Sequence, residues 1–361
     1  MPIAHAVSVA SSREHYDVLV GRGLLAEIGP TLKTRLPTLR RKCAIITDAN
    51  LASGHAATVC ASLTASGYEP VVVEVAAGES SKTLGAAEGI CERLVAHGLD
   101  RQSFVVALGG GVVGDVGGFV AAIYHRGIPV VQVPTTIVAQ VDSSLGGKTG
   151  VNAAGGKNLL GAFHPPSLVV ADVATLDTLP DREFRQGFAE IVKHGAIADR
   201  AMLNSLPGFV RGQDITALIR RNIEIKSAIV TADEFETTGG RATLNFGHTL
   251  GHAVEAVAGF GRFRHGEAVS VGLAVALQLS VTKAGLSEAD RRLVVSCLEH
   301  FQLPVRIPAD LATDHLIAAM RRDKKFQAGA IRFILTRGLG SAYMASDVTE
   351  PEIAGAIDAL R

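Results

Sequence analysis

An excess of charge of either sign is what this sequence lacks first. Its 35 Lys and Arg are balanced by 35 Asp and Glu across 361 residues, and no run of like charge or basic stripe is present. That gives no footing for a nucleic-acid or polyanion partner. Cysteine is scarce: Cys43, Cys60, Cys91 and Cys297 lie far apart, with no C-x-x-C and no flanking histidine. A disulfide framework is therefore not expected, and buried thiols in a reducing cytosol are. The first residues, MPIAHAVSVASSREHYDV, lack a basic segment followed by an apolar one, so no secretory signal is read there. Apolar runs are all interrupted by Gly, Pro or charge before they reach membrane-spanning length, so no membrane partner is expected. Tryptophan is missing altogether. Glycine, by contrast, is plentiful at 39 residues, and it clusters.

What is there begins with 47% apolar residues, ample for a core and incompatible with a disordered chain. The first half alternates short Val/Ile-rich runs with helical patterns. Strands are expected at 43–47, 70–75, 103–108, 130–134 and 168–173, and helices between them at 54–67 and 83–97. Such alternation predicts βαβ units and a parallel sheet, buried on both faces because the runs are near-continuously apolar. Past residue 178 the texture turns to long amphipathic segments at 182–197, 212–232, 245–259, 266–284, 288–300 and 309–322, with one hairpin pattern at 331–346 and a closing helix. The expected fold is α/β: a Rossmann-like parallel-sheet domain over 1–178, a mostly helical domain over 179–361, and an active site in the cleft between them.

Glycine clusters mark the first candidate chemistry. VVALGGGVVGDVGGF (105–119) runs a strand into Gly109, Gly110 and Gly111, then Gly114 and Asp115. Glycines let a backbone approach a pyrophosphate, and a following helix N-terminus favours its charge; the plain alternative is a tight strand-to-helix turn. Asp48 and Asn50 end an earlier strand, Glu79 and Lys82 follow another, and Thr135 and Thr136 a third. Ligands of open α/β sheets gather beyond the carboxyl ends of strands, so these ends together predict one nucleotide crevice.

Histidines mark the second. His248 and His252 stand four apart in LNFGHTLGHAVE and share a helix face, His265 opens the next helix, and Glu190 sits in FAEIVKHG with Lys193 and His194. A carboxylate with two imidazoles is a catalytic zinc pattern, although a lone histidine on such a face is more often structural. Position 249 is Thr, so the H-E-x-x-H of a metalloprotease is absent.

Lysines are the third feature. DSSLGGKTG (142–150) carries the second half of a phosphate-binding loop, but Asp142 stands where its first glycine belongs and would face a triphosphate. Lys148, Lys157, Lys193, Lys226 and the pair Lys324–Lys325 lie in apolar or glycine-rich settings. Any one alone reads as a solvated surface lysine. With Arg126 and Arg241 they predict a cationic pocket for a phosphorylated acid.

The linked motifs GGGVVGD, PTT, DSSLGGKTGVN, GGKNLLGAFHPP, TLDTLP, FAEIVKHG, LNFGHTLGHAVE and HGEAV resemble, in order and spacing from about residue 40 to 325, the 3-dehydroquinate synthase family of sugar-phosphate cyclases. The resemblance implies a cytoplasmic, homodimeric carbon–oxygen lyase of the shikimate route to chorismate and the aromatic amino acids. Its substrate would be 3-deoxy-D-arabino-heptulosonate 7-phosphate (DAHP), with NAD and Zn2+ or Co2+ as cofactors. It implies Glu190, His248 and His265 as metal ligands. It places Asp142, Lys148, Asn158, Lys193, Lys226, Arg241, Asn245 and His252 around the substrate, joined by Lys324 or Lys325 and by Arg126 from a partner subunit. For NAD it implies Asp48, Asn50, Glu79, Lys82, Gly111, Gly114, Asp115, Thr135, Thr136, Lys148, Lys157 and Thr178. Two places depart from the family pattern: DEFETTGGR (233–241) holds one extra residue, and His194 stands where Tyr is expected.

Three rivals are weighed against this. Another cyclase, using sedoheptulose 7-phosphate or glucose 6-phosphate, would alter the DSSxGGKTGVN loop, which is intact here. A metal-dependent alcohol dehydrogenase would not need the lysines. A degenerate NAD-binding module would need neither lysines nor metal ligands.

Overall fold

The run FVVALG sends Phe104, Val106 and Leu108 to one face of a strand and Val105 and Ala107 to the other, and all five are buried. Burial on both faces is what a helix-covered parallel strand requires. The computed structural model describes residues 4–11, 15–259, 261–322, 326–327 and 330–361. Two compact units result: Met1–Leu179 with Asp214–Thr231, and Pro180–Gln213 with Ala232–Arg361.

The first unit holds β1 (His5–Ala10), β2 (His15–Gly21), α1 (Ile28–Arg35), β3 (Lys42–Asp48), α2 (His55–Ala65), β4 (Glu69–Val75), α3 (Leu84–Ala96), β5 (Phe104–Gly109), α4 (Gly111–Ile123), β6 (Val130–Pro134), β7 (Lys148–Ala153), β8 (Gly156–Phe163) and β9 (Leu168–Asp172). Seven strands form one sheet in the order β1-β2-β9-β6-β5-β3-β4, parallel except for the β1–β2 pair. Helices α1 and α2 cover the face of Phe104 and Ile45, while α3 and α4 cover the face of Val105 and Ile46. The five expected strands are β3, β4, β5, β6 and β9. Two hairpins add to them, β1–β2 on the sheet edge and β7–β8 apart from it. Their sequences hide them: β1 is half exposed, and β8 exposes Leu159, Leu160 and Phe163.

In the second unit come α5 (Asp181–Ala198) and α6 (Arg200–Ser205). Next in the chain, α7 (Thr216–Ala232) groups with the sheet unit through Asp214–Thr231. The second unit resumes with α8 (His248–Ala258), α9 (His265–Leu279), α10 (Glu288–His300), α11 (Thr313–Arg322), the two-residue pair β10 (Phe326–Gln327) and β11 (Ala330–Ile331), the hairpin β12 (Phe333–Thr336) and β13 (Ala342–Ala345), and α12 (Glu350–Asp358). Its core joins Leu250 and Val254 of α8 to Val271 and Val275 of α9, with Leu316, Phe333 and Ile353. One departure from the sequence reading lies here. His265–Ala284 is a continuous helical run of 20 residues, long and apolar enough by composition to cross a membrane, and it is mostly buried inside the unit.

Candidate active site

In the first unit the chain steps from β3 outward to β4, then returns past β3 to β5. The helices that follow, α2 after β3 and α4 after β5, cover opposite faces of the sheet. Such a reversal opens a crevice beyond the carboxyl ends of the two strands, the usual seat of a ligand in an open α/β sheet. Asp48 closes β3, where its carboxylate accepts from the Asn50 amide (2.9 Å). Gly109, Gly110 and Gly111 carry β5 into α4, whose N-terminus has no side-chain cap. A Cβ on Gly111 would lie 3.1 Å from Ser143 Oγ, and one on Gly110 3.2 Å from a Thr136 methyl. Uncapped amides with no Cβ in front of them form a cradle for a pyrophosphate. Farther along α4 the glycines serve packing. A Cβ on Gly114 would lie 2.9 Å from Gln132 Oε1, and one on Gly117 2.9 Å from the Ala107 Cβ.

Other residues expected at the nucleotide lie after β4, β6 and β9 and on α4. Thr135 is buried and its amide donates to the Gly109 carbonyl (3.0 Å); Thr136 Oγ1 accepts from the Ala139 amide (3.2 Å). Thr178 Oγ1 lies 3.2 Å from His55 Nε2. Buried Lys82 pairs with Asp115 on α4, yet burial raises the Asp115 carboxyl above its ordinary range despite that lysine. Asn152 ties three of the residues together: Nδ2 donates to Glu79 (2.8 Å), its amide to the Lys82 carbonyl (2.9 Å), and its Oδ1 accepts from the Asn158 amide (2.9 Å). Asn152 ends the DSSLGGKTGVN stretch but is not among the residues expected at the site.

Residues 139–143 form a single π turn that presents Asp142, and buried Lys226 of α7 donates both to the Asp142 carboxylate and to its carbonyl (2.6 Å). One extra residue in a helical turn is a recurrent feature of functional sites. Lys148 is exposed at the start of β7, Lys157 half-buried on β8, and Asn158 exposed in a left-handed conformation (φ 54°). Arg126 is exposed in a left-handed turn with His125 and Gly127 (φ 69°, 50° and 122°).

The second unit builds a different kind of site. Gln186 and Glu190 stand four apart on α5, one face of a helix. Gln186 Oε1 accepts from the Gly266 amide (2.7 Å), and Arg182 grips Glu267 through two contacts of 2.7 Å. Both fasten the start of α9, and so His265, to α5. Helix α8 approaches α9 through glycine: a Cβ on Gly247, which sits at φ 81°, would lie 2.8 Å from the Leu273 amide nitrogen, and one on Gly251 3.2 Å from the Ala268 carbonyl. Only a residue without a side chain allows that approach.

Three ligand atoms converge as a result. Glu190, His248 and His265 each offer one within 4.8 Å of the others, with Glu190 Oε1 3.5 Å from His248 Nε2 and 3.4 Å from His265 Nε2. Glu190 is wholly buried; its Oε1 faces the two imidazoles, and Lys193 pairs with its Oε2 one turn along. Burial opposes its charge, but Lys193 and then the two imidazoles hold the carboxyl well below the usual range. Burial drives His248 well below its ordinary value, so its imidazole is neutral, the form that ligates a metal. For His265 burial is outweighed by Glu190 and Glu255, which push it up to about 10. His252, the i+4 partner of His248, has its ring centroid 5.5 Å from that of His248.

Nearby, Arg241 is buried, its guanidinium donating to the Glu234 carbonyl and its amide to Asp233 (3.1 Å). Asn245 Nδ2 donates to Glu236 (3.2 Å). Asp233 also accepts from the amides of Thr237 (2.8 Å) and Thr238 (3.2 Å), which closes the long DEFETTGGR turn onto one carboxylate. Lys324 and Lys325 lie outside the described residues.

Comparison with known proteins adds an independent line. The family model for the 3-dehydroquinate synthase N-terminal region matches residues 72–186, and that for the C-terminal region residues 187–326. A 3-dehydroquinate synthase of Symbiobacterium thermophilum is 46% identical over 356 residues, covering 96% of this chain and 98% of that one. Among solved structures, the 2-epi-5-epi-valiolone synthase ValA from Streptomyces hygroscopicus subsp. jinggangensis, with NAD+ and Zn2+ bound, superposes with a TM-score of 0.87 at 31% identity, covering 97% of this chain and 98% of that one. A 2-deoxy-scyllo-inosose synthase complexed with carbaglucose-6-phosphate, NAD+ and Co2+ shares the fold, with a TM-score of 0.85 at 24% identity over 99% of this chain and 100% of that one.

Proposed function

The chain belongs to the 3-dehydroquinate synthase family, and we propose that it converts DAHP to 3-dehydroquinate and phosphate with NAD and a divalent metal, zinc or cobalt, bound. It is thus a carbon–oxygen lyase of aromatic biosynthesis acting on a phosphorylated sugar. The observation that carries the reading is the convergence of Glu190, His248 and His265, whose ligand atoms lie within 4.8 Å of one another around a buried carboxylate. One oxygen and two imidazole nitrogens are a donor set for zinc that leaves coordination positions open for a substrate. The uncapped α4 N-terminus behind three glycines is the corresponding fit for the pyrophosphate of NAD.

When bound, the metal supplies a Lewis acid for substrate hydroxyls and the nicotinamide a temporary home for a hydride. The chain's own residues do the rest. Asp48 and Asn50 receive a ribose hydroxyl, Gly111, Gly114 and the Lys82–Asp115 pair bound the nucleotide, and Glu79, Thr135, Thr136, Lys148, Lys157 and Thr178 complete its surroundings. Lys148 and Asn158 take the acid end of the substrate, and Asp142 orients Lys226 toward an anionic group. Lys193, Lys226 and Arg241 neutralise the substrate's anionic groups, and Asn245 helps to position it. His252, adjacent to a metal ligand yet not needed as one, moves the proton that leaves with phosphate. A nicotinamide held there would serve the reaction without net consumption of NAD.

The reading extends to a cytoplasmic homodimer, supported by four unpaired cysteines and by the strained left-handed turn that holds Arg126 outward. Arg126→Ala mixed with a subunit inactivated at Lys226 should recover activity; no recovery would refute a shared arginine. The function itself is tested by supplying DAHP, NAD and zinc while following phosphate and NADH. Phosphate release without net NADH is expected. NADH accumulation would favour a dehydrogenase, and no phosphate release would send the search to other sugar phosphates.

A further inference from the structure

Each histidine of the cluster has a second ring nitrogen, and the structure gives each of them a different neighbour. His248 turns Nε2 toward Glu190 and Nδ1 toward the Phe246 carbonyl, 3.2 Å away. His265 turns Nε2 toward Glu190 and Nδ1 toward Glu255, whose Oε1 lies 3.7 Å away. Glu255 is itself buried, at 7% exposure, and it sits on α8 seven residues after His248 and three after His252. That spacing puts all three on one stripe of the helix.

We propose that Glu255 is a positioning residue for the metal: it accepts the Nδ1 proton of His265 and so fixes Nε2 as the ligating atom. The inference rests on the reading of Glu190, His248 and His265 as metal ligands. An imidazole presents its lone pair to a metal only when the proton is on the other nitrogen, and an acceptor at that nitrogen selects the tautomer and locks the ring plane. His248 obtains this from a backbone carbonyl that its own turn supplies. His265 holds the same first position in α9, but its Nδ1 faces Glu255 on α8, so its acceptor is a carboxylate from another helix. A carboxylate also raises the basicity of the ring it faces, which strengthens the bond to the metal.

The test is zinc affinity of the full-length protein, measured by competition with a chromophoric chelator, together with the visible spectrum of the cobalt-loaded form. Glu255→Ala is expected to weaken zinc binding about 10–100-fold, the usual effect of losing such a partner, and to shift the cobalt bands. Glu255→Gln, which keeps the shape and one acceptor oxygen, is expected to lose less and to retain a near-native cobalt spectrum. It also keeps the test valid should the alanine variant fail to fold. His265→Ala is the control. If it loses zinc while both Glu255 variants bind as tightly as wild type, with unchanged cobalt spectra, the role of Glu255 is overturned and the metal site stands. If His265→Ala itself keeps wild-type zinc affinity, the metal site falls, and the role of Glu255 with it.

Discussion

The two units handle buried charge in opposite ways. In the sheet unit, buried lysines close onto carboxylates: Lys82 on Asp115, and Lys226 on Asp142. In the helical unit, Glu190, His248 and His265 bring three potential ligand atoms together, and Lys193 contacts Glu190. A closed pair is complete as it stands. Three converging ligand groups instead offer a place where a metal would replace the proton on an imidazole. On the proposed reading, the sheet unit would receive the nucleotide and the helical unit the metal.

The largest effect that follows concerns the converging set. Glu190→Ala should lower turnover about 1,000-fold or more, since a Lewis acid is worth several kcal/mol at the reacting oxygens, while NAD binding, measured by fluorescence titration, stays near wild type. Equal loss of NAD affinity would break the separation of tasks between the units. Second comes the closed pair. Lys226→Ala strands Asp142, and the chain should lose roughly 2 kcal/mol of stability by denaturant titration, less than for a fully buried pair because Asp142 keeps some exposure. Lys226→Met with full stability and full turnover would remove the lysine from both roles.

Third, Gly117→Ala should cost about 1–3 kcal/mol, because its methyl would meet Ala107 on β5. That appears as a fall in Tm with NAD affinity little changed. A selective loss of NAD binding would instead make Gly117 part of the cradle. The smallest effect belongs to Asp233. Burial opposes its charge, but the amides of Arg241, Thr238 and Thr237 outweigh it and hold its carboxyl well below the ordinary range. A depressed folded-state value means stability that is complete above about pH 4 and fades as pH falls below it. Asp233→Asn should therefore lower the denaturation midpoint at pH 7, with the gap to wild type closing below about pH 4. A gap that does not change with pH would contradict this.

How much of this was legible in the sequence differs between the units for physical reasons. The parallel strands and long helices announce themselves, because apolar periodicity is a local property: β6 and α10 fall where the pattern puts them. The β7–β8 hairpin does not, since its glycines and its exposed Leu159, Leu160 and Phe163 carry no alternation. Nor could sequence place α7 with the sheet unit, because membership of a unit depends on packing with distant residues. Among site residues, His248 and His252 were visible as an i,i+4 pair, but which of them joins Glu190 is decided by the approach of α9. Glu255 lies on the same stripe and periodicity alone could have found it. Asn152 could be found only through its partners.

The central claim is that Glu190, His248 and His265 hold one catalytic metal. It is tested most directly by titrating chelator-treated protein with zinc and counting bound metal by elemental analysis. One zinc per chain in the wild type, lost in both His248→Ala and His265→Ala, is the predicted result. Full zinc retention in either variant would contradict it.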